Sequence, residues 1–245
     1  LEVLIKANGK HYRELNAEVR SALARGASQV ALDGVNGQYY IGAGLQGDRR
    51  LIINGTPGND TGCYLDGPEL VIHGNAQDVL GNTMNGGRII VHGSAGDVLG
   101  YGMRGGEIFV RDNVGYRVGI HMKEYQDQCP VIVIGNNAGA FLGEYMAGGR
   151  IIVLGLRGEG RIVGSHCGSG MHGGCIYIRG RVEEKQLSPD VLSVPLDESD
   201  IKLLDSYFKR FCEYFGVDRS ALLDSAFQKL VPRGNRPYAG LYTGL

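Results

Sequence analysis

Three apolar residues followed by a polar one recur along most of the chain at an interval close to twenty. The triplets are Val30–Leu32, Leu51–Ile53, Leu70–Ile72, Ile89–Val91, Ile108–Val110, Val131–Val133, Ile151–Val153 and Ile176–Ile178. Their starts lie 21, 19, 19, 19, 23, 20 and 25 residues apart. A fixed period of this length marks a stacked repeat protein, and triplets too short for helices predict one short strand per turn of a parallel β-helix. About seven to eight turns are expected, each offering its hydrogen-bonding edge to the next.

The pattern also predicts inside and outside. Side chains alternate along a strand, so the first and third triplet positions, aliphatic in every copy, point inward. The polar fourth positions Asp33, Asn54, His73, His92, Arg111 and Arg179 point outward. The second positions share that outer face and yet are apolar: Ala31, Ile52, Val71, Ile90, Phe109, Ile132, Ile152 and Tyr177. Monomers rarely leave so long an apolar stripe bare. Ile52, Val71, Ile90, Phe109, Ile132, Ile152 and Tyr177 are therefore predicted to form an interface, covered by the chain's own ends or by another protein. On this reading Ile89→Asp or Val91→Asp unfolds the coil, whereas Phe109→Asp weakens only partner binding.

Composition sharpens the picture through glycine, which supplies 41 of 245 residues. The glycines do not recur every third residue and 43% of the chain is hydrophobic, which excludes collagen and a disordered linker. They fall instead in columns. One follows the fourth position (Gly34, Gly55, Gly74, Gly93, Gly135, Gly155, Gly180), with Asp112 as its exception. A second runs Gly42, Gly62, Gly81, Gly100, Gly119, Gly143, Gly164, and a third lies in Met-x-Gly-Gly at Met84, Met103, Met146 and Met171. Turns stacked about 4.8 Å apart bring corner Cβ atoms against one another, and glycine removes that clash.

Stacked coils need caps at both ends. Residues 1–29 are predicted to be the first, with Asn16 as N-cap of a helix from about Ala17 that ends at Gly26. The coil occupies 30–182, and 183–245 is a helical extension. A helix starting at Asp197 or Ser199 carries Ile201, Leu204, Phe208, Phe211 and Phe215 on one face and stops at Gly216. Asp218 is predicted to cap a second helix through about Leu230, followed by an extended tail with Tyr238 and Tyr242.

Candidate chemistry is sparse. The formal charge of −1 draws the chain to neither nucleic acid nor an anionic membrane, and no apolar run of membrane-spanning length or signal-peptide opening occurs, so a cytoplasmic protein is expected. Five cysteines without a C-x-x-C pair argue against a zinc ribbon or an iron–sulfur cluster. Two G-x-G-x-x-G windows, at Gly42–Gly47 and Gly168–Gly173, precede strands rather than helices and lack the context of a dinucleotide site. His166, Cys167, His172 and Cys175 crowd the longest turn and form a candidate metal or small-molecule site in the 165–175 loop. The 121–130 insertion is a second place for contacts. His73 and His92 should stack in a polar ladder with Asn54 and Arg111. No catalytic triad or carboxylate pair follows from the spacing.

The turns Ile72–Gly81, Gly86–Val91, Gly105–Arg111 and Gly148–Gly155 resemble the carboxy-terminal GXGXG domain of the large subunit of glutamate synthase, over about residues 12–182. The resemblance implies a right-handed parallel β-helix with a non-catalytic, structural role and no cofactor of its own. FMN and an iron–sulfur cluster are then expected on a partner subunit. It suggests a stand-alone scaffold subunit working with glutaminase-type amidotransferase and FMN-containing synthase partners, since Leu1 is not an amino-terminal cysteine nucleophile. The β-helix subunit of formylmethanofuran dehydrogenase has a similar coil and is the alternative, and a homo-oligomer is open.

Overall fold

The structure is a computed structural model that describes residues 1–158, 160–223 and 225–234. The stretch containing Tyr238 and Tyr242 lies outside these. Each apolar triplet is a strand: β2 (Gln29–Asn36), β3 (Arg50–Thr56), β4 (Glu69–His73), β5 (Arg88–Val91), β6 (Glu107–Val110), β7 (Val131–Ile134), β8 (Ala147–Val153) and β9 (Gly173–Arg179), preceded by β1 (Glu2–Lys6). The nine strands pair in parallel and in chain order, so that Leu51, Leu70, Ile89 and Ile108 stand in one register column. The architecture is the expected parallel β-helix.

Two further columns close the coil. Isolated parallel bridges link Ala76, Ala95, Val114, Ala138 and Val163 on a second wall. At the corner before the next strand stand Met84, Met103, Met122, Met146 and Met171, all of the chain's methionines and all buried. Unbranched thioethers suit this place because they bend beneath the Gly-Gly corner of the following turn. A Cβ at Gly106 would lie 2.6 Å from Met84 Cε.

The glycine columns prove to be of two kinds. At Gly81, φ is +68° and a Cβ would meet Ile108 Cδ1 at 2.5 Å, so the glycine, which follows β4, makes room for a core isoleucine of β6. At Gly87 the obstacle is backbone, with Pro68 O at 2.3 Å. Neither is a clash between identical Cβ atoms. The place expected for Gly164 is taken by Gly168, whose Cβ would meet Val191 Cγ1 at 2.4 Å.

Four sequence readings are corrected. Ile132 points inward, because Val131–Ile134 is apolar throughout and its alternation has no phase until Ile132 aligns with Ile108 and Ile151. Val133 takes the outer place. Helix α1 (Tyr12–Ala24) starts one turn early, with His11 rather than Asn16 as N-cap. Residues 1–29 hold the edge strand β1 as well as α1, whose Leu15, Val19, Ala22 and Leu23 join the core. After α2 (Glu198–Phe215), the second helix is a single turn, α3 (Ser220–Leu223). Phe227–Pro232 is instead strand β11, antiparallel between β9 and β10 (Val191–Val194), and these two strands extend the sheet past β9.

Candidate functional site

The outer apolar ladder is the feature that pattern alone singled out, and helix α2 lies on most of it. Phe109, Val131, Val133, Ile152 and Tyr177 form a second apolar cluster with Leu204, Tyr207, Phe208 and Phe211 of the helix. Phe109, Ile152 and Phe211 are 0% exposed. At the far end of α2, Phe215 packs edge-on against His92 at 5.2 Å and Arg88 sits 5.7 Å from the Tyr214 ring. Val71 and Ile90 are buried as well. Phe109, Ile152 and Tyr177 are thus packed within the molecule rather than offered to a partner.

Polar groups fix the helix at both ends. Asp197 caps its first turn, and Asp200 completes the capping box by accepting from the Asp197 N–H at 2.9 Å. The buried Asp200 carboxylate also accepts from the Tyr177 hydroxyl at 2.7 Å and from Lys229 Nζ at 2.8 Å, tying β9 and β11 to α2. Burial alone would raise its pKa, but the Lys229 ammonium, the Asp197 N–H and the Tyr177 hydroxyl outweigh burial and hold the carboxyl below its ordinary range. Along the adjoining column charges alternate: Arg50–Glu69 at 3.1 Å, Glu69–Arg88 at 3.4 Å, Arg88–Glu107 at 3.1 Å. Arg210 of α2 ends this column on Glu107 at 2.6 Å.

What remains uncovered is the start of the ladder. Leu4 is 58% exposed, and Ala31 and Ile52, next to it along the sheet, are half-buried. Of the seven predicted interface residues, Ile52 alone keeps appreciable outward exposure.

The 165–175 loop does not gather its candidates. Cys167 lies in the inner core, and burial pushes its thiol up to about 12. Cys175 packs against the outer cluster, on the other side of the wall. His166 is exposed and stacks on Phe141 at 4.8 Å, while His172 Nδ1 lies 3.1 Å from the Gly170 carbonyl. Among the described residues no group of three or more His, Cys, Asp or Glu is placed to hold a metal ion. His73 and His92 do stack, with ring centroids 4.7 Å apart, and burial followed by the neighbouring His73 and Arg111 keeps His92 below its ordinary pKa. Asp112, the exception in its glycine column, is clamped by Arg111 at 2.9 Å and Arg157 at 2.5 Å. Among the described residues no helix is long and apolar enough to cross a membrane.

The GXGXG motif family matches residues 9–234, nearly the whole coil with its helical extension. The chain belongs to the GXGXG family. It is 44% identical over 252 residues to MJ1350 of Methanocaldococcus jannaschii, a protein named as uncharacterized, with 99% of this chain and 97% of the relative covered. Its fold is similar to a chain in the crystal structure of the formyltransferase/hydrolase complex of Methylorubrum extorquens with methylofuran. That likeness has a TM-score of 0.66 at 24% identity, over 83% of this chain and 73% of that one.

The Asp200 hub and the strand β11 were not read from the sequence. Asp200 had one available signal: it stands three residues after Asp197 at a predicted helix start, the capping-box spacing. Lys229 had none, because its partner lies 29 residues away.

Proposed function

We propose that the protein is a non-catalytic structural subunit of a glutamate-synthase-like complex, organising a glutaminase-type amidotransferase and an FMN-containing synthase. The observation that carries this reading is the GXGXG match over residues 9–234, which spans the coil and its helical extension. The FMN and any iron–sulfur cluster belong to the partners, and the protein works in the cytoplasm. Of the predicted interface, Ile52 is the residue still open to a partner, beside the uncovered Leu4 and Ala31 at the start of the ladder.

A second reading rests on a separate observation. The solved coil of similar fold sits in a formyltransferase/hydrolase complex, which supports a role as the β-helix subunit of a formylmethanofuran-dehydrogenase-like assembly. Both readings make the coil a subunit, and they differ in the company it keeps. A tagged full-length chain recovered from the source organism, with its companions identified by mass spectrometry, separates them. Co-elution of an amidotransferase and a flavoprotein is the expected result. Formyltransferase-type companions, or recovery of the chain alone, overturn it.

A further inference from the structure

The column that follows the buried methionines carries Arg104, Lys123, Ala147 and His172 on successive turns, and these line an open groove of about 300 Å³. Its aromatic wall is built from neighbouring turns: Tyr101 meets His121 edge-on at 5.9 Å, and His121 stacks on Tyr145 at 5.3 Å and 12°. Thr83 closes one end. The His172 ring is oriented by its Nδ1 contact to the Gly170 carbonyl, which leaves Nε2 as its open nitrogen.

The charges in this groove differ from those of the Arg–Glu column. In that column arginines alternate with glutamates: Arg50, Glu69, Arg88 and Glu107. Where two acids do fall in register, at Asp78 and Asp97, each carboxylate accepts a backbone N–H of the next turn at 2.8 Å. Arg104 and Lys123 occupy equivalent places on adjacent turns, whose backbones lie about 4.8 Å apart, and neither forms an ion pair with a carboxylate among the described residues. Like charges opposed in this way are destabilising unless something lies between them. Arg104 Nε is moreover buried with no hydrogen-bond partner. Nearby acids are held elsewhere: Glu124 takes the Gly149 N–H at 3.1 Å and Glu144 takes Arg117 at 2.9 Å.

We propose that this groove binds a small oxyanion compound with two negative charges, a phosphate ester or a dicarboxylate. A guanidinium fork and an ammonium lining one cavity match that chemistry, since Arg recognises phosphate and carboxylate alike in two-point fashion. The volume falls at the lower end of small-molecule clefts, which suits a compact dianion. The site is independent of the partner assignment above, and its failure would leave that reading untouched.

Titration calorimetry of the full chain at pH 8 with methyl phosphate and with glutarate tests the site. Saturable binding of at least one is expected, and which one binds tells phosphate from carboxylate. Arg104→Gln and Lys123→Gln should each weaken it about tenfold, the loss of one charge-assisted contact. Arg161→Gln, an exposed arginine outside the groove, should leave it unchanged. Circular dichroism of each variant guards against a folding defect, and Lys123, being exposed, remains informative if Arg104→Gln fails to fold. The proposal is overturned if neither dianion saturates at millimolar concentration, if Arg104→Gln/Lys123→Gln binds as well as the wild type, or if a polyglutamate peptide binds where both small dianions fail.

Discussion

The two halves of the outer apolar ladder read alike and end differently. On β6 to β9, Phe109, Val133, Ile152 and Tyr177 vanish beneath α2. On β1 to β3, Leu4, Ala31 and Ile52 stay at least partly exposed. The strands themselves do not account for this, since their apolar triplets pair in one register column from β2 to β9. Helix length does. From Asp200, anchored at β9, to Phe215, beside β5, the helix rises about 22 Å, and four strand spacings amount to about 19 Å. The helix runs along the stacking direction and is used up at β5. An apolar column on a solenoid is thus an interface only where the chain's own helix has not claimed it.

The widest test of this contrast lies in the core that both halves share. Ile108→Asp places a carboxylate where no partner exists, inside the 0% exposed inner column. A loss beyond about 5 kcal/mol is expected, enough to unfold the coil, seen as loss of the β signal in circular dichroism.

Phe109→Asp comes next and separates the covered half from a bare one. Had the ladder been a partner face, this substitution would spare folding. Beneath Tyr207 and Tyr214 it should cost about 3–5 kcal/mol and release α2 while the inner coil persists. Hydrogen exchange would show fast exchange in 198–215 with β5 to β8 still protected. Unchanged protection of α2 would contradict the packing described.

Asp200→Ala attacks the same helix at its pin and is expected to cost about 3 kcal/mol, because the Lys229 ammonium is left without its carboxylate. The pH dependence follows in sign. Asp200 has a lowered folded pKa, so its stabilisation is complete above the unfolded value near 3.9 and is lost as pH falls from there through the folded value. Lys229 has a raised folded pKa, since the Asp200 hydrogen bond overcomes burial. Its share is complete below about 10.4 and is lost as pH rises through the folded value. Thermal melts of wild type and Asp200→Asn should therefore converge in acid below about pH 4. Melts that stay parallel would remove the ion pair from the account.

Much of this was legible because the repeat is local. Period, alternation and glycine columns give the coil, its core and the outward His73–His92 ladder, as each depends on residues within one turn. Ile132 failed for a physical reason: four apolar residues in a row carry no alternation, and only pairing with β6 and β8 sets the phase. The Phe227–Pro232 strand was hidden because its partner β9 lies some fifty residues earlier. The cover over the ladder was half legible. The apolar face of α2 was readable, but nothing local shows where Leu204, Phe208 and Phe211 are spent. The 165–175 cluster misled because sequence proximity ignores the wall, which puts Cys167 inside and Cys175 outside.

The smallest expected effect on stability is the one that bears most on function. Ile52 lies on the ladder beyond the reach of α2, paired with Ala31 and Val71 and only half-buried. Ile52→Asp should therefore cost little, about 0.5 kcal/mol, with a melt close to that of the wild type. If the bare half is where a partner subunit sits, the same variant should recover markedly less of that partner in a tagged pull-down, because a charge in the centre of an apolar contact is left desolvated. Phe109→Asp then serves as the inverse case, losing stability first and partner only as a consequence. A pair of variants on the same column and the same face distinguishes the surface that the chain buries for itself from the surface it leaves for another protein. Full partner recovery by Ile52→Asp would move the docking face off the ladder altogether.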